Sequence, residues 1–305
     1  MLTWDFAEQN LEGEEESLEE VMYQAGLILE GGGMKGIYTA GVLEFFMEKE
    51  ILFSDCYGVS AGACHLCSYL SGQRGRAYRV SVNYLDMKQY CGPESLMKTG
   101  NLFGVDMCYG LIPDYLDPYD FEAFAKYEGR AYAVATNIRT GKPAYLPLKD
   151  MHKDIIAVRA SSSLPLVSRN VEIDGELYLD GGISDSIPIR QSYRDGNRKN
   201  VVVMTKEEGY VRKPAGAELA AVRARYLRYP KVYELMRERH LSYNNTVQYI
   251  EEKARNGEVF LIRPKCASKV RRVEKDKEKM KALYEEGYQD AQNCYLDLLE
   301  YLERD

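Results

Sequence analysis

Two glycine-flanked segments of the sequence have the residue types and spacing that acyl transfer requires. The first is GVSAG, residues 58–62, which places Ser60 between Gly58 and Gly62 in a G-x-S-x-G pattern. In a nucleophile elbow this pattern forms a sharp turn from a strand to a helix, and the glycines give the turn room to expose the serine hydroxyl. The pentapeptide is common by chance, so Ser60 needs support from a second motif.

The second segment is LILEGGGMKGIYTAGVL, residues 27–43, in which Gly31, Gly32, Gly33 and Gly36 lie between an apolar run and a helical pattern. The loop could be an oxyanion hole, because backbone N–H groups at a helix start can bind developing negative charge. In that case Lys35 anchors the loop or adds positive potential.

The same loop also fits the dinucleotide fingerprint G-x-G-x-x-G, which follows a strand and opens a helix. That hypothesis needs an acid further along the chain to bind the ribose, and Asp55 has roughly the right spacing. Nucleotide binding leaves GVSAG unexplained, whereas a hydrolase requires both motifs. The hydrolase hypothesis is therefore favoured, and nucleotide binding is the alternative.

A nucleophilic serine needs a base, and the chain has three histidines. His65 falls on the helix predicted after GVSAG, where packing explains it, and His152 falls in a polar loop. In the α/β-hydrolase chain order Ser…Asp…His, only His240 could serve as the base. Its segment, RERHLSYNN, has the pattern of a charged helix surface, which favours a structural role.

A carboxylate is the other candidate base. Asp180 ends the second strand of a predicted hairpin, and Gly181 and Gly182 after it leave room for another group to approach. A free aspartate is a weak base at neutral pH, so Asp180 needs burial or proximity to act. Asp174, in the turn of the same hairpin, is predicted to be structural.

Other polar motifs have simpler structural explanations. Cys64-x-x-Cys67 lies on one face of a predicted helix, and without a second pair of ligands it predicts core packing and no metal site. Ser161, Ser162 and Ser163 are predicted to cap a turn or helix before Pro165. Residues 221–240 are basic and rich in tyrosine, so they could form an interfacial patch. Pro230 interrupts the segment and the tyrosines could equally cover the core, so packing is favoured. The loops at 100–104 and 108–124 could line an acyl pocket or form a lid.

Strand-like runs alternate with helical patterns along the chain, which predicts an α/β fold. The strands are expected over 25–30, 131–138, 200–205 and 258–264, and a helix over 37–50. The Asp-Gly signal at 174–175 predicts a hairpin over 171–182, so the sheet should be mixed. We divide the chain into an acidic lead-in over 1–24, a catalytic domain over 25–210 and a mainly helical region over 211–305.

Composition limits the functional classes. The chain has 305 residues and a net charge of -7, and its first 24 residues hold eight acids and no base. The remainder is almost neutral, so no basic surface predicts nucleic-acid binding. No stretch has the apolar length of a membrane span, the acidic start is unlike a secretory signal, and seven cysteines follow no disulfide framework. These features predict a cytoplasmic location.

The three motifs together resemble those of the patatin-like phospholipase family. EGGGMKG (30–36), GVSAG (58–62) and DGG (180–182) have that family's order and separation, and RASSSLPLV (159–167) is similar to its Ala-Ser-x-x-x-Pro segment. The resemblance covers roughly residues 25–205. It implies a three-layer α/β/α sandwich with a mostly parallel, mixed central sheet.

The resemblance also implies roles for individual residues. Ser60 would be the nucleophile, Asp180 the base, and the loop from Gly31 through Met34 and Lys35 to Gly36 the oxyanion hole. Such proteins hydrolyse acyl esters of lipids without a metal or diffusible cofactor. The family loop often has arginine where this chain has Lys35, which keeps the charge and loses the bidentate fork.

Several points remain open at this stage. The expected partner is a lipid or other acyl-ester substrate, with transient contact with a membrane surface as an option. The sequence determines neither the head group nor the oligomeric state. A catalytically inert binding member of the family is a third hypothesis.

Overall fold

The computed structural model describes residues 21–265 and 267–304. Within them, eight strands form one sheet. The strands are β1 (Val21–Leu29), β2 (Ile51–Val59), β3 (Arg130–Asn137), β4 (Pro143–Leu148), β5 (Val171–Ile173), β6 (Glu176–Asp180), β7 (Asn200–Val203) and β8 (Phe260–Ile262).

Most of the described helices follow or connect these strands. The α-helices are α1 (Ile37–Glu48), α2 (Ala61–Leu70), α3 (Arg76–Val82), α4 (Pro93–Thr99), α5 (Phe121–Ala125), α6 (Met151–Ser161), α7 (Ile189–Arg194), α8 (Glu218–Arg225), α9 (Pro230–Arg255), α10 (Lys277–Asn293) and α11 (Tyr295–Glu303). A π-helix spans Met107–Leu116, and short 3₁₀-helices span Gly33–Gly36, Gly181–Ile183 and Ala267–Lys269.

The sheet is mixed, as predicted. Its strand order is β5-β6-β3-β2-β1-β7-β8, and β4 also pairs with β3. The pairs β3-β2, β2-β1, β1-β7 and β7-β8 are parallel, whereas β3-β4, β3-β6 and β5-β6 are antiparallel. The hairpin β5-β6 turns at Asp174-Gly175, where both residues have positive φ.

Alternate residues of the central strands face two different helical layers, as the period of a strand requires. In β1, Leu27 and Leu29 belong to a core cluster with residues of α1, α2 and α10. Ile28, between them, packs in a second cluster with Tyr243 and Ile250 of α9. The sheet is therefore buried on both faces, and the predicted α/β/α sandwich is confirmed.

The ends of the predicted regions differ in detail from the prediction. β1 begins at Val21, so residues 21–24 of the predicted lead-in belong to the sheet, and residues 1–20 lie outside the described part. β4 was not predicted, because its sequence PAYLPL has two prolines, which are unusual inside a strand.

The helical C-terminal region shares the sheet and core of the residues before it. β8 pairs with β7. α10 crosses α1 so closely that each helix has a glycine at the crossing, where no side chain would fit. A Cβ at Gly41 would collide with the Tyr284 carbonyl, and a Cβ at Gly287 with the Tyr38 carbonyl. The Tyr-rich segment 221–240 packs against the body of the protein, since Val222, Tyr226 and Val232 are buried in one cluster. In the described part, no helix is long and apolar enough to cross a bilayer.

Candidate active site

Ser60 occupies the turn between β2 and α2 with a strained backbone. Its φ is 54° and its ψ is -120°, values that residues other than glycine adopt at a cost. The flanking glycines permit the turn, because a Cβ at Gly58 would lie 2.5 Å from Ala63 Cα, and one at Gly62 would lie 2.5 Å from the Leu29 carbonyl oxygen. This is the geometry of a nucleophile elbow.

β3 brings Asp180 beside Ser60, although the two residues are far apart in the sequence. Val59, the last residue of β2, pairs with Val134 of β3, and Asp180, the last residue of β6, pairs with Ala135. The ends of β2 and β6 therefore pair with consecutive residues of β3. A Cβ at Gly181 would collide with the Val134 carbonyl, so the chain leaves β6 at a point that only glycine fits.

Asp180 is buried, and few groups in the described residues contact its carboxylate. The residue is 2% exposed, its Oδ1 accepts a hydrogen bond of 2.7 Å from the Gly182 N–H, and its Oδ2 has no well-aligned partner in residues 21–265 and 267–304. Burial raises the pKa of Asp180, while the neighbouring Ser60 hydroxyl and the Arg239 charge lower it. The Ser60 hydroxyl therefore lies close to the carboxylate, without the alignment of a good hydrogen bond.

The glycine loop passes directly beside Ser60. A Cβ at Gly31 would lie 2.9 Å from Ser60 Cβ, and a Cβ at Gly32 would lie 2.6 Å from Thr205 Oγ1. The N–H groups of Gly31, Gly32 and Gly33 donate to no acceptor in the described residues. The loop therefore offers free backbone donors next to Ser60, as an oxyanion hole requires.

The loop residues from Gly33 to Gly36 hold the loop in place against neighbouring segments. The Met34 N–H donates to the Arg272 carbonyl at 3.0 Å, so this amide is already occupied. Gly33 has φ of 60°, and a Cβ there would lie 2.6 Å from the same carbonyl. Gly36 lets α1 approach α2, since its Cβ would lie 2.7 Å from Ala61 Cβ. Lys35 lines a polar cavity beside the loop, and burial lowers the pKa of its amine.

Two cavities meet at Ser60. One is about 170 Å³ and mainly apolar, and its lining includes Ile37, Ile112, Tyr119, Val158 and Met280. The other is about 180 Å³ and polar, and it is lined by the glycine loop, Asp180 and several basic side chains. The predicted loop at 108–124 therefore forms a wall of the apolar cavity, through the π-helix and Tyr119.

Ser161 has a role that the sequence did not reveal. Its Oγ accepts a hydrogen bond of 2.8 Å from the Ser60 N–H and donates one of 2.6 Å to the Val134 carbonyl. The residue was predicted to cap a turn, but it is fully buried and ties the elbow to β3. The run of three serines in RASSSLPLV was the available signal, although it does not say which serine makes the contact.

Glu30 is a second residue that the prediction missed. Its side chain is buried and accepts hydrogen bonds from the Thr205 N–H at 2.6 Å, the Thr205 hydroxyl at 3.1 Å and the Tyr243 hydroxyl at 2.8 Å. These bonds fix the start of the glycine loop against β7 and α9. An acid at the end of a fully buried strand was the signal.

The surroundings of the three histidines differ from those of Asp180. Burial lowers the pKa of His65 to about 4, and its ring packs beside Gly36 in the wall of the apolar cavity. His152 stacks on Phe121 with ring centroids 4.0 Å apart. His240 lines neither of the two cavities.

Asp55 and the cysteines give the alternative chemistries no support. Asp55 is buried and pairs with Arg130 at 2.6 Å, four residues before the end of β2, so it does not face the glycine loop. Cys64 and Cys67 lie on α2, where Cys67 is buried and Cys64 contacts the Ser162 hydroxyl at 3.3 Å. The described residues contain no group of three or more metal-ligating side chains.

Comparison with known proteins places this chain in a family. The family model of patatin-like phospholipase matches residues 27–193, which include Ser60 and Asp180, and a model of a domain of unknown function (DUF6363) matches residues 229–303. The uncharacterized protein YjjU of Escherichia coli K12 is 36% identical over 185 residues, which are 59% of this chain and 51% of that protein. The chain thus spans about half the length of this relative.

Two more distant relatives have names that describe an activity. The probable lipid hydrolase 463L of Invertebrate iridescent virus 6 is 23% identical over 197 residues, which are 58% of this chain and 66% of that protein. Lysophospholipase NTE1 of Saccharomyces cerevisiae is 26% identical over 183 residues, which are 54% of this chain and 10% of that protein. Because the family model covers more than half of the sequence, the chain belongs to the patatin-like phospholipase family.

Proposed function

We propose that the protein is a serine hydrolase of lipid acyl esters, with Ser60 as nucleophile and Asp180 as its base. The observation that carries this proposal is the convergence of three features at one point. They are the strained Ser60, the buried Asp180 with one oxygen that has no well-aligned hydrogen-bond partner in the described residues, and the amides of the loop from Gly31, which have no acceptor there either. The relatives named lipid hydrolase and lysophospholipase support the substrate class.

In the first half of the reaction, Ser60 Oγ attacks the carbonyl carbon of the ester as its proton passes to Asp180. The negative charge that develops on the carbonyl oxygen is bound by the amides of Gly31, Gly32 and Gly33. The tetrahedral intermediate then collapses, the ester C–O bond breaks, and the departing alcohol takes the proton from Asp180. The acyl group remains on Ser60 as an ester.

In the second half, water attacks the acyl-enzyme and Asp180 accepts its proton. The same amides bind the second oxyanion, the bond to Ser60 Oγ breaks as Ser60 Oγ takes the proton from Asp180, and the carboxylic acid leaves. Burial assists both steps, since it raises the pKa of Asp180 and makes its carboxylate a stronger base than a free aspartate. The apolar cavity between α1, α2 and the π-helix accepts the acyl chain.

Labelling by a fluorophosphonate and turnover of a short-chain p-nitrophenyl ester test the proposal. We expect Ser60→Ala to lose both, and Asp180→Asn to lose turnover by about 10³-fold or more. Asp174→Asn is the matched control, because this exposed aspartate lies in the same hairpin. His240→Ala tests the other base. Loss of activity in His240→Ala with activity retained in Asp180→Asn would refute the dyad.

The nucleotide alternative has a separate test. If the wild-type protein neither labels nor turns over an ester, and NAD or ATP raises its melting temperature, the glycine loop binds a nucleotide. A protein that gives neither result would be an inert binding member of the family. Both outcomes would contradict the hydrolase proposal.

A further inference from the structure

The polar cavity beside Ser60 contains a concentration of positive charge that the proposed chemistry does not use. Five basic side chains line it: Lys35, Lys206, Arg212, Arg239 and Arg272. Within residues 21–265 and 267–304, none of the five forms an ion pair with a carboxylate at 4.0 Å or less.

Two acids, Glu30 and Asp180, line the same cavity and offset only part of this positive charge. Glu30 is occupied on both oxygens, since Oε2 accepts from Thr205 and Oε1 from Tyr243. Asp180 accepts from the Gly182 N–H and faces Ser60. Five bases against two acids leave an excess of positive charge. Burial lowers the pKa of Lys206 to about 8, and the Glu30 charge opposes this shift. The charges of Lys35, Arg212 and Arg272 lower this pKa further.

Arg239 is held at the cavity wall with an unused donor. The residue lies on α9, and Nη2 packs against Gly182 so closely that a Cβ there would be 2.9 Å away. Its Nε is buried and has no acceptor in the described residues. A buried guanidinium N–H without an acceptor is costly, so the arrangement suits a ligand that brings acceptor oxygens.

Arg212, like Arg239, has a guanidinium donor without an acceptor in the described residues, and residues of α9 position it. Its guanidinium lies over the Tyr243 ring, with Cζ 4.3 Å from the ring centroid, and the backbone N–H of Arg212 donates to Asn244 Oδ1 at 2.9 Å. Its Nε is also buried without an acceptor in the described part. Tyr243 is one helical turn from Arg239, so one face of α9 positions both guanidinium groups.

Four of the five bases come from outside the segment that the patatin-like model matches. Lys206 and Arg212 follow residue 193, and Arg239 and Arg272 lie in the 229–303 segment, to which no function is assigned. The C-terminal region therefore contributes basic side chains to the site. Its Arg272 carbonyl also holds the glycine loop, through the Met34 N–H.

We propose that this cavity binds a phosphate group on the leaving alcohol. The preferred substrate is then an acyl ester of an alcohol phosphate that carries no cationic group to offset the negative charge of the phosphate. This proposal rests on the proposed esterase function. Guanidinium forks match the oxygens of a phosphate, and phosphate supplies the acceptors that both Nε groups lack. A quaternary ammonium group attached to that phosphate would be repelled by the five bases, so a choline ester should be a poorer substrate.

Three substrates with the same acyl chain test the selectivity. They are an acyl glycerol 3-phosphate, the corresponding acyl glycerophosphocholine and the monoacylglycerol. We expect the acyl glycerol 3-phosphate to have the highest kcat/KM. In Arg212→Gln and in Arg239→Gln, its advantage over the monoacylglycerol should fall about 10- to 100-fold, the range for one lost charge-assisted hydrogen bond. Arg237→Gln is the matched control, because this exposed arginine lies on the same helix and pairs with Glu238.

Binding of glycerol 3-phosphate to the Ser60→Ala variant separates this inference from the esterase proposal, because it needs no turnover. Calorimetry should detect glycerol 3-phosphate and not glycerol, and Arg239→Gln in the Ser60→Ala background should weaken binding about 10- to 100-fold, unlike Arg237→Gln. Ester turnover without phosphate binding would overturn the subsite alone. Phosphate binding without ester turnover would retain the subsite and overturn the esterase. A preference for the phosphocholine or neutral ester would also refute the subsite.

Discussion

Replacement of Ser161 by alanine tests whether the strained elbow depends on a side chain outside the three motifs. In the structure Ser161 Oγ holds the Ser60 N–H at 2.8 Å and the Val134 carbonyl at 2.6 Å. Alanine removes both bonds and leaves the rest of α6 unchanged. Since Ser60 has a φ of 54°, the elbow needs surrounding contacts to keep this conformation.

The size of the effect follows from the groups that lose their partners. An unsatisfied buried N–H costs about 1–3 kcal/mol, and because Ser60 is partly exposed we expect the free energy of unfolding to fall by an amount in the lower half of this range, about 1–2 kcal/mol. Activity should fall further, because a displacement of about 1 Å at a reacting atom can cost about 100-fold in rate. We expect kcat to fall about 10- to 100-fold.

Urea unfolding and ester turnover measure the two effects. Ser163→Ala is the matched control, because Ser163 is also buried but its hydroxyl donates to the Arg159 carbonyl in α6, at 2.8 Å, and not to the elbow. If Ser161→Ala changes neither the unfolding free energy nor kcat more than Ser163→Ala does, the elbow is held by its own glycines and the reasoning is wrong.

Three further perturbations have defined outcomes. Activity should decline at acid pH with a midpoint above the usual aspartate range, because burial raises the pKa of Asp180 and the base must be ionised. Arg239→Gln should move this midpoint to higher pH, because it removes a positive charge that lowers the pKa of Asp180. Gly62→Ala should abolish labelling and destabilise the fold, since its Cβ would lie 2.5 Å from a buried carbonyl oxygen. Tyr115→Ser, on the exposed side of the π-helix, should reduce turnover of esters in vesicles if this helix contacts the lipid surface, because the ring is 75% exposed.

Each of these perturbations has its own control. The pH profile of Arg237→Gln should match that of the wild type, and a midpoint in the usual aspartate range would contradict the role of Asp180. Gly110→Ala should be silent, because no atom lies within 4 Å of its Cβ position. Leu227→Ser is the control for the lipid surface, since Leu227 is 74% exposed elsewhere. Equal losses in Tyr115→Ser and Leu227→Ser would argue against a specific docking surface.

The motifs and several elements could be predicted because their signals are local. An Asp-Gly pair sets a hairpin turn, and three glycines before a helix leave backbone donors free, whatever the rest of the chain does. β4 could not be predicted in this way, because its prolines contradict strand propensity and its pairing with β3 overrides them. The role of Ser161 depends on a contact across 101 residues, which adjacent letters do not encode.

The sequence by itself determined the family resemblance, the α/β class and the candidate residues Ser60 and Asp180, since each follows from residues adjacent in the chain. Only the tertiary structure decided how these parts meet. The register of β3 places Asp180 beside Ser60, and the fold of the C-terminal region onto the same core brings Arg239 and Arg272 to the glycine loop. The physical reason is that burial, charge and the approach of distant backbones depend on long-range packing, which no single segment of the sequence contains.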